Sequence, residues 1–146
     1  MLAFEQKWYR VSLRLMGDNL AVQEIEAKLD LVPRVVAFKG EHRHRNPRYA
    51  KYRTNFWRSQ YLTNSDVPFE QQIAMMLDVL EPRLNSLKEI LSLPDVEGDL
   101  YLGFRSGNGQ GGAFFSNELL RRIADYGLAL TLDLYDIDAQ DAPSTP

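Results

Sequence analysis

The chain has 146 residues, a length that suits one domain with a core of its own. Apolar residues make up 45% and charged residues 25%, a globular balance rather than a disordered or fibrous one. With no cysteine, the sequence excludes disulfides, thiolate zinc sites and cysteine nucleophiles, and it fits a reducing compartment.

The opening residues MLAFEQKWYR lack the basic region and apolar run of a signal peptide. No stretch approaches the roughly 20 apolar residues of a membrane helix. The expected location is therefore cytoplasmic, with no membrane partner. The net charge of −3 conceals a division. Residues 1–61 hold 12 Lys/Arg against 6 Asp/Glu, a balance of +6, and residues 62–146 hold 5 against 14, a balance of −9. Such a split points to an oppositely charged partner or a homodimer, or else pairs the two halves or solvates two faces.

In chain order, Trp8 to Met16 alternates Tyr9, Val11, Leu13 and Leu15 with Arg10, Ser12 and Arg14, which predicts a half-buried strand. Gly17-Asp18 ends it, and Asp18 or Asn19 is expected to cap a helix running to about Leu31. Val22, Ile25 and Leu29 form its apolar stripe, and Pro33 is expected to stop it. Val35 to Phe38 predicts a second strand, parallel to the first if the two are neighbours. Residues 39–51 read as a polar, basic loop, and Tyr52 to Tyr61 as a third strand.

Asn64-Ser65-Asp66 with Pro68 opens a helix carrying Phe69, Ile73, Met76, Leu77 and Leu80. Pro82 predicts a break near Glu81 before a second piece with Leu84, Leu87 and Leu91. Asp99 to Arg105 predicts a fourth strand. After the loop SGNGQGG, a helix from Phe114 to Tyr126 is expected, capped by Ser116 or Asn117 and ended by Gly127. Leu128 to Tyr135 predicts the last strand, with Asp133 facing away from its leucines.

The fold expected is α+β in the order βαββα(α)βαβ. It has a mixed sheet of about five strands, helices on one face, and two weakly similar βαβ-like units of ferredoxin-like character. Residues 1–136 form the domain, and 137–146 an acidic, disordered tail.

The order and its landmarks resemble the bacterial family catalogued as domain of unknown function 4279. The landmarks are the first strand running into Gly17-Asp18, Leu29-Asp30-Leu31-Val32-Pro33, Lys39-Gly40, Trp57, and Tyr126-Gly127-Leu128 leading to Tyr135. The resemblance spans residues 8–136 and implies the fold without an activity, cofactor or catalytic residue.

Two segments invite a function. Residues 39–58 carry Lys39, Arg43, Arg45, Arg48, Lys51, Arg53 and Arg58 against one acid, Glu41, interleaved with Tyr49, Tyr52, Phe56 and Trp57. The cations and Trp57 suit an acidic protein surface, and the same mixture suits single-stranded nucleic acid, whose phosphates need cations and whose bases need exposed rings. His42 and His44, the only histidines, sit among cations that oppose a divalent metal. In the second segment, Gly107, Gly109 and Gly112 formally match the dinucleotide fingerprint, but the expected helix cap lies several residues later. The carboxylates Asp95, Glu97 and Asp99, and Asp133, Asp136 and Asp138, read as solvated. The reading is a non-catalytic interaction module without a cofactor. Nucleic-acid binding through 39–58, or a nucleotide-binding enzyme or sensor using 107–112, are the alternatives.

Overall fold

A computed structural model describes residues 7–135. The proposed tail therefore lies outside the described residues.

The sheet begins with β1 (Trp8–Gly17) at its centre, and its order is β2-β3-β1-β4-β5. β2 (Pro33–Ala37) pairs antiparallel with β3 (Asn55–Ser59), β3 antiparallel with β1, and β1 antiparallel with β4 (Glu97–Arg105). These four strands make the split βαβ arrangement of ferredoxin-like sheets. β5 (Ala129–Tyr135) adds parallel to β4 at the far edge. The two strand–helix–strand units thus differ: β4 and β5 are direct neighbours, whereas β3 lies between β1 and β2.

One face carries the four α-helices of the described residues. α1 (Ile25–Leu29), α2 (Phe69–Leu80), α3 (Leu84–Leu91) and α4 (Asn117–Asp125) bury Ile25, Leu29, Ile73, Leu77, Leu87 and Ile123 against Leu13, Leu15, Trp57, Leu100 and Leu102. Burial of such side chains stabilises by about 1.5–3 kcal/mol each, so this layer is the main source of stability.

The first helix is shorter than its apolar stripe suggests. A single 3₁₀ turn, Val22–Glu24, leads into α1, and Asp30 turns left-handed at φ 55° to end it. The expected caps are engaged elsewhere: the Asn19 side chain donates to the Pro94 carbonyl at 2.7 Å, and Asp18 pairs with Lys39 at 3.5 Å. Pro33 consequently opens β2 rather than stopping a helix. The break near Glu81 is a 3₁₀ turn, Glu81–Arg83, holding Pro82. Ser116 caps α4 by accepting from the Leu119 amide at 3.1 Å, and Gly127 follows at φ 78°, a conformation that suits glycine.

Among the described residues the opposite face has no helix, yet it is not a bare polar surface. Asp99, read from the sequence as solvated, is buried, as are Ser12, Arg58 and Tyr101. Arg14 clasps Asp99, and Thr131 donates to the same carboxylate at 2.6 Å. Tyr101 donates its hydroxyl to Asp133, which does face away from the leucines. At the other end of this face Tyr52, Phe56 and Ala37 form a small apolar cluster of their own.

Candidate interaction surface

The connection between β2 and β3 is more ordered than a loop. The Gly40 amide donates to the Tyr52 carbonyl at 2.9 Å, Tyr52 to Glu41 at 2.8 Å, and Arg43 to Ala50 at 3.1 Å. His42 and Lys51 form an antiparallel bridge. The segment is thus a hairpin extension of edge strand β2 and its neighbour β3. Its tip is a tight turn in which His44 and Arg45 both adopt left-handed backbone, at φ 56° and 54°. Left-handed backbone at two successive non-glycine residues costs about 1–2 kcal/mol each. The turn persists because local bonds hold it. His42 Nδ1 lies 2.8 Å from the Tyr49 carbonyl, so that nitrogen carries the proton, and Asn46 Oδ1 accepts from the Arg48 amide at 3.0 Å.

This frame holds Arg45, Arg48, Lys51 and Arg53 exposed, with Arg43 half-buried. The Arg43 guanidinium stands 5.4 Å over the Tyr52 ring, which anchors it to the helix-free face. Among the described residues none of these five cations has a carboxylate within ion-pair distance. Glu41, the acid of the segment, accepts from the Phe38 amide instead. Burial pushes the Tyr52 phenol above its ordinary pKa, and Glu41 adds to that rise against the opposing pull of Arg43 and Arg58.

Two residues expected on this surface lie elsewhere. Trp57 points into the helix-side core and is fully buried opposite Leu15, because alternation along β3 sends it to the face opposite Phe56 and Arg58. Arg58 is on the helix-free face but 2% exposed. Its Nε donates to Ser12 Oγ at 2.8 Å and its terminal nitrogen to the Tyr61 hydroxyl at 3.0 Å. Burial lowers its pKa from the usual guanidinium value. Trp57 and Arg58 therefore serve the fold rather than the exposed surface.

The glycine loop is not built as a phosphate cradle. Gly107 and Gly109 take positive φ, but Ala113, Phe114 and Phe115 separate Gly112 from the Ser116 cap. The Glu70 carboxylate accepts from the Ser116 amide at 3.3 Å, placing an acid where the fingerprint needs an anion site. Among the described residues no group of three or more His, Asp or Glu is gathered to hold a metal, and no helix is long and apolar enough to cross a membrane.

Sequence reasoning missed Arg10, Ser12, Arg14, Tyr61, Tyr101 and Thr131, which line the helix-free face. The signal was present in the polar half of the β1 alternation. Reading it required the β1–β4 register, in which Arg14 stands opposite Asp99.

No curated protein and no solved structure matches the chain. The family model described as Domain of unknown function (DUF4279) matches residues 6–137, nearly the whole length, and the chain belongs to that family.

Proposed function

We propose that this protein is a non-catalytic interaction domain that binds an acidic surface of another protein through the hairpin of residues 39–53. The observation that carries the reading is the set of Arg43, Arg45, Arg48, Lys51 and Arg53, held on an ordered hairpin with no ion-pairing carboxylate among the described residues. The strained tip supports it, since an unfavourable backbone maintained at an exposed turn is a pattern of functional surfaces. Steering by such a cluster raises association rates and selects negatively charged partners.

The burial pattern favours protein over nucleic acid. Of the aromatic residues that would stack on bases, Tyr52, Phe56 and Trp57 are buried, and Tyr49 alone is exposed, at 40%. Single-strand binding relies on open ring faces. The test is fluorescence anisotropy of labelled poly-glutamate and of a labelled single-stranded oligonucleotide, over a range of salt. Tighter binding of the polypeptide, weakened by salt and by Arg45→Glu with Arg48→Glu, is expected. Equal or tighter binding of the oligonucleotide would contradict the reading.

A further inference from the structure

Beyond the hairpin, three guanidinium groups gather on one ring at the far end of the helix-free face. The Cζ atoms of Arg34, Arg58 and Arg10 stand 5.0, 5.6 and 5.8 Å from the centre of Tyr61. Arg10 also lies 4.1 Å over Trp8. Arg58 is fixed in place by Ser12 and the Tyr61 hydroxyl, Arg10 is half-buried, and Arg34 is exposed.

Cations brought this close repel, and Arg34 adds to the burial that lowers the pKa of Arg58. The ring faces offset part of that cost. The contrast with Arg14 on the same face is informative. Arg14 has a built-in carboxylate, Asp99, whereas among the described residues neither Arg10 nor Arg34 has one within ion-pair distance.

We propose that Arg10 and Arg34, held beside Arg58 around Tyr61, form a second carboxylate-binding point for the same acidic protein partner. This rests on the reading of the hairpin as the partner surface. Arg34 belongs to edge strand β2, and Lys39 and the hairpin follow from the other end of that strand. A partner segment of about six extended residues along β2 spans from Arg34 to Lys39. Guanidinium forks match carboxylates in pairs of hydrogen bonds. The Trp8 and Tyr61 rings have arginines over them, so they are not offered to stack on bases, and this favours carboxylates of a protein over a nucleic acid.

Trp8 is a local reporter, because the other tryptophan, Trp57, is fully buried in the core. The full chain is titrated with poly-glutamate while tryptophan emission and anisotropy of the labelled polypeptide are followed. Inorganic phosphate and a single-stranded oligonucleotide form parallel arms. A saturable change in Trp8 emission with poly-glutamate is expected. Arg34→Gln should weaken binding about tenfold and remove the emission change. Arg45→Glu with Arg48→Glu should weaken binding but retain the emission change at saturation. Arg34 is exposed, and an unchanged urea midpoint verifies the fold of its variant. If Arg34→Gln titrates like the parent while the hairpin variant is weakened, the second binding point is overturned and the hairpin stands. If the hairpin variant titrates like the parent while Arg34→Gln is weakened, the hairpin reading is overturned and the arginine group stands as the anchor. A response to the oligonucleotide or to phosphate, with poly-glutamate inert, overturns the proposal.

Discussion

Arg14 and Asp99 stand directly opposite each other across the β1–β4 pair and join through two parallel hydrogen bonds, Nε to Oδ1 at 2.9 Å and the terminal nitrogen to Oδ2 at 2.5 Å. Their side chains are 17% and 10% exposed. Breaking a buried pair from one side leaves a charge without its partner, which costs about 3–5 kcal/mol. Asp99→Ala should therefore lower the free energy of urea unfolding by about 3–5 kcal/mol. Replacing both, Arg14→Met with Asp99→Leu, should recover much of that loss, because no buried charge is then stranded.

Tyr52 gives the fold a dependence on alkaline pH. Its folded pKa is raised above the ordinary value of 10.0, first by burial and further by Glu41. The folded state thus holds the phenol neutral. The stability this represents is fully present below pH 10 and is lost as pH rises through the folded pKa. Unfolding midpoints measured from neutral to strongly alkaline pH should fall in that window, and Tyr52→Phe should fall less steeply.

Gly17 closes β1 against the turn that precedes β4. A Cβ there would lie 2.1 Å from the Asp95 carbonyl oxygen, a backbone atom that cannot swing aside. Gly17→Ala should cost about 3 kcal/mol, at the upper end of overpacking penalties, measured by thermal or urea unfolding. Gly40→Ala meets no neighbour within 4 Å. It carries only the strain of its φ of 93°, and should cost about 1 kcal/mol.

Trp57 separates a core role from a surface role. Its Nε1 is buried with no hydrogen-bond partner among the described residues. Trp57→Phe removes that unsatisfied donor, which offsets part of the lost volume, so a cost under about 1.5 kcal/mol is expected. Trp57→Ala should cost about 3–5 kcal/mol. Neither change should alter poly-glutamate affinity while the chain remains folded.

The legible parts of the fold were those set by local rules. Alternation along β1, the Ser116 cap, the left-handed Gly127 and the break at Pro82 all depend on residues close in sequence. The first helix is shorter than its sequence suggests because Asn19 and Asp18 serve distant groups, Pro94 and Lys39. The helix-free face was illegible for the same reason. Whether Arg14 faces solvent or Asp99 depends on a register between strands far apart in sequence. In the hairpin, composition revealed the cations. Only tertiary structure sends Trp57 to the core and Arg58 to the sheet.

Residues 39–53 are the proposed surface for an acidic partner. Amide hydrogen exchange of the full chain, alone and with saturating poly-glutamate, tests this most directly. Slowed exchange concentrated in residues 39–53, with a lesser effect at β2, is expected. Unchanged exchange in the hairpin, with protection confined to the glycine loop or the helices, would contradict the proposal.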